Sequence, residues 1–395
     1  MTLADTQQTP CIPPSDGDLF DRLRLLRSRR VGPATYHRLI MEHRTARAAL
    51  DALPDVARAA GVTEYHICPE AVIAAEIRAA RAAGAVLVAA GDPLYPAALY
   101  DMADAPPLLW TLGDASLLAR PMIAMVGARN ASSLGTRMAR KLAADLTDAG
   151  YVVVSGLARG VDAAAHLAAL DGGTVAVQAG GVDVIYPSEN AELAHAIADR
   201  GLRLSEMPMG LQPQARHFPA RNRIIAGLSH AVVVVEAAAK SGSLITARNA
   251  LDRHRDVLAV PGHPFDARAA GCNMLIRDGA TLVRSAADII DALGPVAAPV
   301  PVQTVLDVID QAPASRSAGA CTAAEVPQGP PARDLSSAAR LHEQILSRLG
   351  PSPMAEDQLI RDLSAKPMQV APALVDLELD GKIMRQPGGL LSRIA

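Results

Sequence analysis

Hydrophobic and polar positions along the chain fall into three regimes, each predicting a different kind of element. Between Phe20 and Ile67 apolar residues recur at helical spacing, as Leu19, Leu23 and Leu26, then Leu39 and Ile40, then Leu50 and Leu53. A break at Val31-Gly32-Pro33 divides the run, so residues 19–70 read as a small helical domain. From about residue 83 the period changes to short, wholly apolar runs alternating with Ala-rich amphipathic stretches. The runs predict strands at 85–88, 122–126, 152–154, 174–177, 202–204, 231–235 and 257–260, and the stretches predict helices at 134–149, 162–170, 191–200, 245–253 and 286–293. Strands apolar on both sides are strands covered on both faces. Residues 71–293 are therefore expected to form an α/β domain, a doubly wound, mostly parallel sheet. Residues 294–335 hold seven prolines among Ala, Ser and Gly and read as a linker. In 336–395 the pattern returns, with helices at 340–349, 354–363 and 370–379 and then a glycine-turned hairpin, together a winged helix.

Composition narrows this picture. Half of the 395 residues are apolar and the net charge is −3, so the chain can bury a core and is not disordered throughout. No apolar run approaches the ~20 residues that cross a bilayer. Residues 1–18 lack both the basic start and the apolar stretch of a secretory signal and read as a disordered tail. Cys11, Cys68, Cys272 and Cys321 lie too far apart for a zinc spacing or a dense disulfide framework, which suits a reducing cytoplasm. No metal site and no cofactor is expected. Only three residues are phenylalanine, so Phe218, set among arginines, stands out.

In a doubly wound sheet, ligands bind where strands hand over to helices at their carboxyl ends. The first such turn, Gly127 to Gly135, combines glycine, Arg129 and small hydroxyls, a set that suits an anion. It is neither a dinucleotide fingerprint nor a Walker loop, so NAD and ATP hydrolysis are not expected. The second turn brings Ser155, Gly156, Arg159 and Gly160 to a helix start, with Asp162 placed to cap and His166 one turn on. The Asp-His pair could serve acid/base chemistry, but a cap and a hydrogen-bonded helix histidine is the reading preferred, since no third partner is spaced to join them. The third segment holds Arg216, Phe218, Arg221, Asn222 and Arg223. Arginines around a lone ring suit a strand whose phosphates are neutralised while a base stacks; a basic helix start with Phe218 tucked into the core is the alternative. In the fourth turn Lys240, Ser241, Gly242, Ser243 and Thr246 suggest an anion nest. From 216 to 255 seven cations face two acids, a local excess of five in a chain of net −3. The break at Gly32, flanked by Arg27, Arg29 and Arg30, resembles a helix-hairpin-helix, with a plain packing module as the alternative.

Taken in order, several segments resemble one family. They are Val126-Gly127-Ala128-Arg129, Ser155 to Asp162 with Ala165-His166, Val184-Ile185-Tyr186-Pro187, Ser205-Glu206, His217 to Ser229, Glu236 with Ser241 to Ala247, and Pro261-Gly262. The chain is similar there to the DprA/Smf family of bacterial DNA-processing proteins. The resemblance implies a small SAM-like or helix-hairpin-helix-like N-terminal domain, an extended Rossmann-like domain and a winged helix. It also implies single-stranded DNA binding, loading of RecA recombinase onto that strand in natural transformation, and no enzymatic chemistry. The DNA site it implies comprises Arg129, the Arg159 turn, Phe218, Arg221, Arg223 and the Lys240–Ser243 turn. A homodimer through the Rossmann domain and a RecA contact overlapping it are placed near Leu275, Ile276 and Leu282. Two departures, Gln178-Ala179-Gly180-Gly181 and His263, remove no charge. The competing reading is a nucleotide hydrolase similar to lysine-decarboxylase-like phosphoribohydrolases, with Glu236 as the candidate acid. The winged helix carries equal numbers of cations and acids between Arg340 and Arg393, so it reads as a protein-contact module more than a duplex binder.

Overall fold

The structure is a computed structural model that describes residues 16–62 and 64–294, with 345, 347–348, 354–355, 362, 374, 383–386 and 390–393. The chain divides into two compact units, 1–302 and 303–395.

The first unit begins with α1 (Asp16–Arg27), α2 (Pro33–His43), α3 (Ala46–Ala59) and α4 (Glu70–Ala83). The start of α1 corrects the expected tail, whose residues 16–18 are helical; the rest of that tail lies outside the described residues. The break falls where the sequence put it. Pro33 opens α2 with its fixed φ after an extended Gly32, and the Thr45 hydroxyl caps α3 by accepting from the Ala48 N–H. Leu25, Tyr36, Leu39, Leu50 and Leu53 form a core for these helices.

This layer is tied to the sheet by a buried ion pair. The Arg27 guanidinium grips Glu76 of α4 at 2.8 and 3.0 Å. The Trp110 indole donates to the same carboxylate at 2.8 Å. Arg27 is thereby removed from the basic flank that suggested a phosphate-binding hairpin; Arg29 and Arg30 remain exposed.

The sheet strands are β1 (Val86–Ala89), β2 (Leu108–Gly113), β3 (Met122–Val126), β4 (Val152–Ser155), β5 (Thr174–Val177), β6 (Leu202–Ser205), β7 (Ala231–Val234), β8 (Asp256–Ala259) and β9 (Thr281–Leu282). Their order is β1-β2-β6-β5-β4-β3-β7-β8-β9. β2 runs antiparallel to both β1 and β6, and the seven strands β3 to β9 are mutually parallel. Both faces are covered, as the apolar strands require. Alternate residues such as Ile123, Met125, Val153 and Val233 pack with α5 (Ser133–Asp148), α6 (Val161–Ala169) and α11 (Ala286–Leu293). Ala124, Val126, Val154 and Val232 pack on the other face with α8 (His217–Leu228), α9 (Ser243–Leu251) and α10 (Ala270–Arg277). The remaining helix, α7 (Ala191–Arg200), lies against β6. The chain leaves β3 for β4 on one side and returns to it with β7 on the other, which opens a crevice at their carboxyl ends.

In the second unit β10 (Met354–Ala355), β11 (Ile383–Gln386) and β12 (Leu390–Arg393) form an antiparallel sheet in the order β10-β12-β11. The hairpin matches the expected wing. Met354 corrects the helix drawn over 354–363, because it pairs with Leu391 as a strand. Most of the linker and of the helices at 340–349 and 370–379 lies outside the described residues.

Candidate nucleic-acid interface

Three turns meet at the carboxyl ends of β3, β4 and β7, and two of them touch through backbone. Val161 N–H donates to the Ala128 carbonyl at 3.2 Å. Gly160 has φ +77°, and a Cβ there would overlap the Ala128 carbonyl, so both conformation and space demand glycine. Gly156 is glycine for another reason: a Cβ would overlap the Arg221 guanidinium.

Arg221 rises from α8 under the crevice and is 5% exposed. Its Nη1 donates to the carbonyls of Gly156 at 2.5 Å and Val177 at 2.7 Å, and its Nε donates to Asn222 Oδ1 at 3.2 Å. Burial pushes its pKa down to about 10, against the pull of Asp162, so it stays charged at neutral pH. Asp162 accepts from the Gly156 and Ala158 N–H groups at 3.1 and 3.3 Å. Burial raises its pKa, while Arg221 and those N–H groups work against the rise.

His166 is the hydrogen-bonded helix histidine preferred for it. Its Nε2 accepts from Leu157 N–H at 3.3 Å, and its Nδ1 lies 2.7 Å from Thr174 Oγ1. The Thr174 hydroxyl itself donates to the Val153 carbonyl, so Nδ1 must carry the proton. Burial holds the pKa down at about 3. The ring is a neutral structural bridge.

Above this floor lie two joined compartments. The larger, about 760 Å³, runs from Gly127 and Arg129 past Asn222 to Lys240, Ser241, Gly242, Ser243 and Thr246. The smaller, about 280 Å³, lies among Gly156, Arg159, Gln178, Tyr186 and Glu189. Phe218, Arg129, Arg221 and Ala158 border both. Phe218 is half-buried at the start of α8. The Arg129 guanidinium stands 5.4 Å from its ring centroid, that of Arg221 5.9 Å, and the Tyr186 ring 5.8 Å. The helix-start reading of this segment is thus right for the backbone, but the ring stays open to both compartments. Arg129 and Lys240 are exposed. Arg159 is exposed too, in a solvent-facing pair with Glu189 at 3.5 Å, which contributes little.

Four expectations need correction. Arg223 lies on another side of α8, where it donates to Glu206 and to the Asp104 carbonyl, and it lines neither compartment. Ser155 is fully buried and donates to the Met125 carbonyl at 2.6 Å. Arg216 is exposed beside His217 and lines neither compartment. At the fourth turn Ser241, Ser243 and Leu244 N–H groups already serve Ala238 O, Ser241 Oγ and Ser241 O, so the anion nest is largely closed and Lys240 carries that corner.

The sequence reading missed Tyr186 and Arg268. Arg268 lines the larger compartment, but its neighbour Asp266 makes the segment look neutral. Glu236, the candidate acid of the hydrolase reading, is 8% exposed. It accepts from Ser132 N–H at 3.0 Å and from the Ser132 hydroxyl at 2.6 Å, and so anchors the start of α5. Among the described residues, no three His, Cys, Asp or Glu side chains are grouped to hold a metal, and no helix is long and apolar enough to cross a membrane. Of the proposed dimer positions, Leu282 is 41% exposed on edge strand β9, whereas Leu275 and Ile276 are half-buried against the core.

Comparison with known proteins bears on all three parts of the chain. Residues 86–294 match the family described as DNA recombination-mediator protein A, 16–79 a DprA-like N-terminal HHH domain, and 329–389 a DprA winged helix domain. Protein Smf of Synechocystis is 37% identical over 75% of this chain and 77% of its own length. The DNA processing protein DprA of Streptococcus pneumoniae is 47% identical over 50% of this chain and 71% of its own. Its X-ray structure aligns with a TM-score of 0.53, covering 56% of this chain and 77% of that one. A Helicobacter pylori DNA processing protein A, studied for its single-stranded DNA binding mode, is 31% identical over 53% of this chain and 95% of its own (TM-score 0.49).

Proposed function

Because the chain belongs to the DNA recombination-mediator protein A family, DprA/Smf, we propose that it binds single-stranded DNA in the two-compartment trough and mediates recombination without bond chemistry of its own. One observation carries this reading: a half-open phenyl ring lies under an exposed arginine where both compartments meet. Arg129, Arg159 and Lys240 hold phosphates, Arg221 supplies positive potential from below, and one base stacks on Phe218 beside Tyr186. No base-edge contact is needed, so binding is sequence-tolerant. The protein then hands the strand to RecA recombinase in the cytoplasm and acts as a homodimer through the β9 edge near Leu282. The hydrolase reading loses its acid, since Glu236 is engaged in anchoring α5.

Fluorescence anisotropy on oligo-dT and a duplex of equal length, at several salt concentrations, tests the site. The strand binds more tightly than the duplex. Arg129→Ala makes the salt dependence shallower by about 0.7, the increment for a single neutralised phosphate. Phe218→Ala weakens binding by ~1–3 kcal/mol at unchanged slope. Equal affinity for strand and duplex, or variants that bind like the wild type, refutes the proposal. Release of free base from AMP would instead support the hydrolase.

A further inference from the structure

A single exposed apolar side chain needs no explanation in itself, but Phe265 differs from an ordinary surface residue in three respects. The first is rigidity. Its ring is 95% exposed, with the His263 ring 5.5 Å away as its described aromatic neighbour. Yet it sits in a hydrogen-bonded turn: Phe265 N–H donates to His263 Nδ1, Asp266 N–H to the His263 carbonyl, and Gly262 and Asn273 exchange two hydrogen bonds. A ring carried on a hydrogen-bonded turn leaves less backbone freedom for binding to remove.

The second is continuity. Three residues on, Arg268 lines the same trough as Phe218 and Lys240. The acids nearby are already engaged. Asp266 accepts from the Arg268 guanidinium at 3.2 Å through each oxygen and is held below the usual carboxylate range by it. Glu236 is held by Ser132.

The third is what lies beyond. A groove of about 930 Å³ separates the 260–269 loop from α5, with an apolar floor that includes Met138 and Val260. Its charged lining is Arg137, Arg140 and Lys141 together with the two engaged acids, Glu236 and Asp266. Lys141 pairs with Asp145, whereas Arg137 and Arg140 are exposed and form no ion pair among the described residues. Apolar surface edged by free cations matches a strand that turns its bases inward and its phosphates outward.

We propose that Phe265 is a second stacking station for single-stranded nucleic acid leaving the trough past Arg268, with Arg137 and Arg140 holding phosphates beyond it. The proposal rests on the reading of the trough as a single-strand site and lengthens its footprint.

The test uses the full chain. Its one tryptophan, Trp110, is 3% exposed and hydrogen-bonded to Glu76, so Phe265→Trp places a separate reporter on the loop. A strand of about twenty thymidines quenches the new indole emission, and one of about six, enough for the trough, does not. Phe265→Ala weakens the long strand between about fivefold and about 150-fold, the range for one stacked base, and leaves the short strand unchanged. The double substitution Arg137→Ala/Arg140→Ala makes the salt slope shallower by about 0.7 per phosphate for the long strand alone. If the wild type binds both strands but emission is unmoved and Phe265→Ala binds like the wild type, the second station is wrong and the trough stands. If the wild type binds neither strand, the trough reading itself fails. Emission that changes with protein concentration in the absence of DNA means the ring meets a second copy of this chain, which also overturns the proposal.

Discussion

Arg221→Met is the most informative single perturbation of the trough's foundation. Methionine fills most of the volume but removes the donors to the Gly156 and Val177 carbonyls and the positive charge that offsets Asp162. A buried carbonyl left without a donor costs about 1–3 kcal/mol. Asp162 makes no direct ion pair with Arg221 but loses its main opposing charge, and ~3–5 kcal/mol, the cost of leaving a buried charge uncompensated when a direct pair is broken, is the upper bound for that loss. These terms overlap, so we expect a loss of about 3–5 kcal/mol at pH 7, a fifth or more of the ~5–15 kcal/mol that holds a typical domain together. The loss depends on pH. With Arg221 gone, burial raises the Asp162 pKa further above its unfolded value. The folded variant then binds more protons than the unfolded chain between those two values, and its stability rises as pH falls through them. Urea denaturation of wild type and variant from pH 7.5 down to about pH 4.5 reads this directly: the deficit shrinks on acidification. A deficit under about 1 kcal/mol, or one that is constant with pH, would falsify the assignment of Arg221 as the counter-charge of Asp162.

Two further outcomes follow from the same geometry. Arg223→Ala leaves Glu206 without its guanidinium in a mostly buried setting and lowers Tm, but the salt slope for single-strand binding stays that of the wild type; a shallower slope would return Arg223 to the trough. Gly160→Ala forces a side chain onto positive φ and against the Ala128 carbonyl. It destabilises by at least ~1–2 kcal/mol and weakens strand binding, and a variant with wild-type Tm and affinity would show that the two turns are not locked together.

The apolar runs made most of the fold legible. Strands β3 and β5 and helices α7 and α11 lie at the expected positions to the residue, because strands covered on both faces and helices between them leave little room for another register. β2 escaped notice since Thr111 interrupts its apolar run, and β9 since it has two residues. Helix α8, whose start was read only as the alternative, had larger consequences. Residues two apart on a helix point about 200° from each other, so Arg221 and Arg223 could not both face the trough once the segment is helical. Ser155 illustrates the same limit at a strand end, where the alternation that buries Val153 and Val154 on opposite faces also decides which side a hydroxyl serves. Arg129 and Lys240 were legible because loop residues beside glycine turns at a switch point are exposed by the topology itself, and Phe218 because a lone ring among arginines stands out in a chain with three phenylalanines.

The backbone contact between Ala128 and Val161 means that the trough exists before anything enters it. Two of its walls are joined through backbone, so in the proposed complex the ordering entropy of association falls mainly on the incoming strand. In the proposed complex oligo-dA, which is stacked in solution, has to unstack before a base turns onto Phe218, while oligo-dT is largely open already. A site with no code of its own would therefore still rank sequences, and the ranking would be written in the free strand's stiffness.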